Sequence, residues 1–186
     1  MPELSFLDKY SNKSNKSSKV VYVTSFESPV GEVIAAADDE YLYIVTFENS
    51  KVFEKSFKTL SDELSCNFKK DKNGVLNQFE EELKAYLEGD LKKFTVPIKT
   101  FGSDFQKEVW NKLLELPYGS TQSYGDLAKA MGRAGSHARA IGAACGANYH
   151  LLVVPCHRLV ASMSKGGFND GVDRKQWLLQ HEKKHS

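Results

Sequence analysis

Residues 103–147 read SDFQKEVWNKLLELPYGSTQSYGDLAKAMGRAGSHARAIGAACGA, and three helices can be laid on this stretch before anything else is known of the chain. Ser103 and Gln106 form a capping-box pattern ahead of an apolar stripe of Phe105, Val109, Trp110, Leu113 and Leu114, which stops at the turn Pro117-Tyr118-Gly119. Ser123 with Asp126 opens a second, short helix that Gly132 should close. A third runs from about Ser136 to Ala147. A few residues containing Gly132 and Gly135 join the last two, the spacing of a helix-turn-helix, although helical hairpins in general share it. On the third helix Arg139, Gly142, Ala143 and Gly146 fall at i, i+3, i+4 and i+7, so one narrow face carries a single long side chain among very small ones. Either another helix packs tightly on that face or a nucleic-acid groove receives it.

Downstream, Leu151 to Val154 is a continuous apolar run bounded by Pro155 and reads as a buried strand, with Cys156-His157-Arg158 at its end. Extended backbone would point Cys156 and His157 to opposite faces, so a bend or a bridging water is needed for the imidazole to take the thiol proton. Ser162 to Gly171, with three glycines, reads as a loop suited to lining a pocket. A last helix spans about Val172 to Lys184, with Trp177, Leu178 and His181 as its inner face. Glu182 lies near its C-terminal end, where the helix dipole disfavours an acid, so a cationic partner is expected; Lys183 and Lys184 are candidates.

Upstream, three β-like runs (Val20 to Phe26, Gly31 to Ala37, Tyr41 to Phe47) form an antiparallel meander, separated by turns at Ser28-Pro29 and Asp38-Asp39-Glu40. Two helices follow: a weak one around Val52 to Leu64, and a stronger one with Leu76, Phe79, Leu83, Tyr86 and Leu87 on one face, ended by Gly89. Lys92 to Thr100 is an extended connector. The expected organisation is a poorly ordered tail over 1–19, an N-terminal α+β domain over 20–97 and a mostly helical C-terminal domain over 98–186.

Composition bounds the function. No run approaches the roughly 18 apolar residues of a membrane span, and no secretory leader is visible, so neither a membrane partner nor export is expected. Cys66, Cys145 and Cys156 are an odd number, consistent with reduced thiols of which one is reactive. The net charge of +1 divides unevenly: residues 1–97 hold 13 Lys+Arg and 17 Asp+Glu, residues 98–186 hold 12 and 7. The basic half hints at a polyanion partner. Apart from His181 and His185 near the C-terminus no metal-ligand spacing is present, and phosphate loops and dinucleotide fingerprints are absent, so no metal, cofactor or nucleotide is expected.

The run Val154-Pro155-Cys156-His157-Arg158-Leu159-Val160 resembles the active-site signature of the O6-alkylguanine-DNA alkyltransferases. Phe105-Gln106 with Val109-Trp110, Pro117-Tyr118-Gly119, Ser123-Tyr124-Gly125, Ala138 to Gly142, Asn148 and Lys175 to Glu182 follow in that family's order and approximate spacing. The resemblance is specific over about 103–182 and weaker over 20–97. It implies a ribonuclease H-like N-terminal domain, a winged-helix-like helix-turn-helix, and a protein that moves an alkyl group, chiefly methyl, from guanine O6 to Cys156 in one irreversible turnover, with the base flipped out of duplex DNA. A monomer is expected, nuclear in a eukaryote and otherwise cytoplasmic.

The resemblance also implies residue roles. Cys156, His157 and Glu182 match a relay through a water, Asn148 matches a bracing residue, and Tyr124 matches the residue that rotates the 3′ phosphate and hydrogen-bonds guanine. Arg139 matches the finger that fills the gap left by the flipped base, on a recognition helix whose Gly142, Ala143 and Gly146 lie against the minor groove, with Ser123 nearby. Cys145, Leu159, Phe168, Asn169 and Asp170 line the base pocket. Phe168 and Asp170 depart from the usual Tyr and Gly. Rival readings are a non-repairing damage sensor or regulator on the same fold, and a cysteine hydrolase, which would turn over repeatedly.

Overall fold

In the computed structural model, which describes residues 7–11, 19–161 and 171–186, β1 (Val20–Phe26), β2 (Val33–Ala37) and β3 (Leu42–Phe47) pair antiparallel in sequence order. The Asp38 carboxylate fixes the turn between β2 and β3 by accepting the Glu40 and Tyr41 amides, each at 2.8 Å. Every residue of β2 and β3 is buried, because both faces of the sheet are covered. On one face Ile34, Ala36 and Ile44 meet Phe57 and Leu60 of α2 (Phe53–Leu64). On the other, Val33, Ala35 and Val45 meet Leu76, Phe79 and Leu83 of α3 (Gly74–Glu88). That second face also receives Leu151, Leu152, Val153 and Leu178 from the C-terminal half, so the two halves share a core.

The structure corrects the sequence reading of this half in two respects. A fourth strand, β4 (Asn67–Lys70), pairs with β1 in parallel, giving a mixed sheet of order β3-β2-β1-β4; four residues between a helix and a charged turn show too little alternation to be read locally. Part of the expected tail is also packed. α1 (Leu7–Tyr10) buries Leu7 in the α2 face, and Ser11 Oγ accepts the Phe68 amide at 3.1 Å.

The C-terminal half is built around α4 (Asp104–Leu114), α5 (Tyr124–Ala130), α6 (Ala138–Gly146) and α7 (Val172–Lys184). The Ser103/Gln106 capping box is formed, and Val109, Trp110 and Leu113 pack against Leu127, Ile141 and Ala144. Ser123 Oγ caps α5 by accepting the Asp126 amide at 3.0 Å, and Gly132 takes a φ of 70° in the turn toward α6. A two-stranded parallel pair, β5 (Gln122–Ser123) with β6 (Leu159–Val160), links the helix-turn-helix to the segment after Cys156. The connector docks on the exposed edge of β3: the Leu42 amide donates to the Pro97 carbonyl at 2.8 Å. Val45 makes a similar bridge to His150, so the edge is covered rather than open.

Candidate active site

The apolar run before Cys156 is a turn, not a strand. The Val154 amide donates to the His150 carbonyl at 2.8 Å, and Leu152 sits at a φ of 71°. A buried turn and a buried strand have the same unbroken apolar sequence, so periodicity could not separate them. Pro155 then takes φ −81° and ψ 62° while the Cys156 amide donates to the Val154 carbonyl at 2.8 Å, an inverse γ-turn that suits the fixed φ of proline. Cys156–Arg158 form one turn of 3₁₀ helix, so Cys156 and His157 diverge because of the helical turn and not because of extended backbone.

Asn148 ties this loop together. Its Oδ1 accepts the His150 amide at 2.8 Å, and its Nδ2 donates to the Val154 carbonyl at 3.0 Å and to Cys156 Sγ at 3.2 Å. Burial, reinforced by Cys145, pushes the Cys156 thiol up, while the Asn148 amide pulls it down. The sulfur therefore rests protonated and needs a base to become a nucleophile.

That base is prepared by Glu182. Its Oε1 accepts from His157 Nε2 at 2.6 Å, Tyr86 Oη at 2.8 Å and Arg158 Nη2 at 3.0 Å; its Oε2 accepts from Arg158 Nε at 2.9 Å and the Gly119 amide at 3.1 Å. Burial alone would raise this carboxyl, but the bonds from His157 and Arg158 outweigh it and hold it far below the usual carboxylate range. An ionised Glu182 can only accept, so His157 carries its proton on Nε2 and presents a bare lone pair at Nδ1. Burial lowers the imidazole further than Glu182 raises it, which keeps it neutral. Nδ1 is buried and takes no hydrogen bond from any described residue.

The cationic partner expected for Glu182 is thus Arg158, seated bidentately, while Lys183 and Lys184 at the helix end are not its partners. Sequence reasoning missed Arg158, Tyr86, Gly119 and Lys175. Arg158 adjoins the Cys-His pair, a signal that was available. Lys175 opens the Lys175 to Glu182 run of the resemblance, but nothing in the sequence places it at the site: it is fully buried and donates Nζ to the Leu159 carbonyl, with its ammonium 5.9 Å from the Tyr124 ring centroid. Burial lowers Lys175, and the nearby Cys145 and Cys156 raise it, which places a cation where a thiolate would form.

Tyr124, half-buried at the start of α5, is pushed up to about 12 by burial and by the electrostatic influence of Cys145 and Cys156, so its hydroxyl stays a donor. Cys145, Leu159, Asn148 and Tyr124 therefore gather around Cys156. The small-residue face of α6 lies on the other side. Arg139 and Ala143 are exposed, Gly142 and Gly146 are partly so, and the helix buries Ile141 and Ala144 instead. A Cβ added at Gly142 would meet only Tyr124, at 3.9 Å. Tight helix packing on this face is thereby excluded among the described residues. Ser123 adjoins this surface and spends its hydroxyl on the α5 cap. Phe168, Asn169 and Asp170 lie outside the described residues. Those described contain no cluster of three or more His, Cys, Asp or Glu able to hold a metal ion.

Known proteins resemble this chain in sequence and fold. The 6-O-methylguanine DNA methyltransferase ribonuclease-like domain matches residues 21–100, and the DNA binding domain of the same family matches residues 104–184. A methylated-DNA–protein-cysteine methyltransferase of Methanosarcina acetivorans is 36% identical over 87% of this chain and 98% of its own length. One of Mycobacterium bovis is 33% identical over 88% and 93%. The crystal structure of the Mycobacterium tuberculosis O6-methylguanine methyltransferase superposes with a TM-score of 0.75 at 32% identity, covering 89% of this chain and 94% of that one. The Mycobacterium tuberculosis protein in complex with DNA gives 0.75 at 31% identity, with the same coverage. With both domains matched and relatives aligned over nearly their full length, the chain belongs to the 6-O-methylguanine DNA methyltransferase family.

Proposed function

We propose that this protein repairs DNA by direct reversal, transferring an alkyl group, chiefly methyl, from O6 of a flipped guanine to Cys156. The observation that carries this reading is the Glu182–His157 pair, which leaves a bare, buried imidazole Nδ1 on the residue that follows a buried cysteine whose Sγ accepts a hydrogen bond from Asn148. The Cys156 proton passes through a bridging water to His157 Nδ1, and Lys175 and Asn148 steady the thiolate. Sulfur attacks the alkyl carbon in line, the S–C bond forms, and the C–O6 pair returns to guanine, whose developing charge Tyr124 meets with its hydroxyl. The thioether product has no route back to a thiol, so each molecule reacts once.

Intact-mass measurement after incubation with a duplex bearing one O6-methylguanine tests this. At most one methyl should be gained per chain, on the peptide containing Cys156. Repeated turnover without label, as a hydrolase would give, or binding without label, as a sensor would give, overturns the assignment.

The exposed small-residue face of α6 fits the minor groove, with Arg139 entering the stack in place of the flipped base. Arg139→Ala should then slow reaction with duplex DNA by about 10- to 100-fold, the equivalent of losing part of the few kcal/mol needed to unstack a base. Reaction with a free O6-alkylguanine, which needs no flipping, should change by less than about threefold. Equal losses in both assays would make Arg139 a structural residue.

A further inference from the structure

Cys145 lies half-buried in the last turn of α6 and packs against the same apolar cluster as Cys156, whose thiol it helps to push up. Asn148 joins them a second way: its amide donates to the Cys145 carbonyl at 3.1 Å, and its side chain donates to Cys156 Sγ at 3.2 Å. Both sulfurs act electrostatically on the same Tyr124 and Lys175. Cys66 is remote from this pair, buried in the core beneath α2. Alkyl transfer uses one sulfur and gives the second no chemical step, only the place in the pocket wall that the resemblance implies. Two adjoining thiols, one reachable and one next to a base, have the makings of a disulfide pair.

We propose that Cys145 and Cys156 form a reversible intramolecular disulfide when the protein meets a hydroperoxide, and that this bond shields the acceptor sulfur from irreversible oxidation. Cys145 reacts first, because Cys156 is only 4% exposed. The Cys145 thiolate attacks one peroxide oxygen and the O–O bond breaks, leaving a sulfenic acid and, from hydrogen peroxide, water. Cys156, yielding its proton toward His157, then attacks the Cys145 sulfur. The S–S bond forms, the S–O bond breaks, and hydroxide leaves as water with that proton. Two thiols and one hydrogen peroxide thus become one disulfide and two waters. Capture by the adjoining thiol outruns a second oxidation because it is intramolecular.

The test uses the full chain treated with a few equivalents of hydrogen peroxide, quenched with N-ethylmaleimide and digested with trypsin. No Lys or Arg lies between Arg139 and Arg158, so Ala140–Arg158 is one peptide carrying both cysteines. It should be lighter by two hydrogens and unlabelled, and accept two labels after reduction with dithiothreitol. Alkyl-acceptor titre should fall with peroxide and return on reduction. In Cys145→Ser, measured against its own untreated titre, the loss should persist after reduction. Sulfinic or sulfonic acid on wild-type Cys156 with Cys145 still labelling, a disulfide to Cys66 or between chains, or two free thiols after excess peroxide would each overturn the proposal. The mapping needs no DNA substrate, so its failure is distinguishable from a failure of alkyl transfer.

Discussion

Cys156→Ala should take up no methyl group from a duplex carrying O6-methylguanine, while its affinity for that duplex stays within about threefold of the wild type, under ~0.7 kcal/mol. The Cys156 sulfur is the proposed nucleophile, with Asn148 Nδ2 on it and the Lys175 ammonium nearby. Cys145, though adjacent, has neither Asn148 as a donor to its sulfur nor the neighbouring imidazole. The fold should tolerate the change: a small buried side chain becomes a smaller one, at a cost of about 1 kcal/mol. Asn148 keeps its bonds to the Val154 carbonyl and the His150 amide. Intact mass checks the first half of this expectation and fluorescence anisotropy on labelled duplex the second. Methyl appearing on Cys145 would show that the site does not select its nucleophile as described.

Glu182→Gln should slow alkyl transfer by about 10²- to 10⁴-fold, the range of a general base, and destabilise the fold by about 3–5 kcal/mol. The two side chains are nearly isosteric, so the effect is electronic. Five donors converge on two carboxylate oxygens. An amide offers one oxygen, and its NH₂ would confront at least two N–H groups, whichever way it is turned. Arg158 would lose the buried anion that compensates it, and His157 would lose the partner that fixes its proton on Nε2.

The same groups set the pH response. Wild-type stability should fall as the pH drops below about 6.5, the ordinary histidine value, since the unfolded chain takes up protons that buried His157 and His150 refuse. His150 is pushed down to about 4 by burial, against the bond to the Leu42 carbonyl. A second loss should begin below about 4.3, where unfolded Glu182 protonates but the folded carboxylate does not. The Gln variant should retain the first loss and lack that part of the second due to Glu182. Urea unfolding between about pH 3 and 8 reads both slopes. A variant whose acid limb matched the wild type would place the depressed carboxylate elsewhere.

Much of this molecule is legible in its sequence. The Ser103/Gln106 box, the Ser123 cap, the positive-φ position at Gly132 and the apolar stripes of α3 and α4 are local signals, set within one or two turns by hydrogen-bonding capacity and periodicity. The Cys-His-Arg run, the alkyltransferase resemblance it carries and the odd lone arginine of α6 were likewise visible in order and spacing. The run before Cys156 was not read correctly, because an unbroken apolar sequence reports burial and says nothing of direction. Val45 on the edge of β3 holds the chain just before that turn, donating its amide to the Tyr149 carbonyl and accepting the Leu151 amide.

Sequence by itself therefore determined α2 to α7, the three-strand meander, the candidate nucleophile and its neighbouring imidazole, since each depends on residues close along the chain. Only the tertiary structure decided that β4 adds in parallel, that no described helix packs tightly on the small-residue face of α6, and that Arg158, Tyr86 and Gly119 meet Glu182. It also decided that Lys175 and Cys145 stand beside the acceptor sulfur. These are pairings across long separations in sequence, and a charge or a thiol acquires its chemistry from what burial brings near it. No local pattern encodes that neighbourhood.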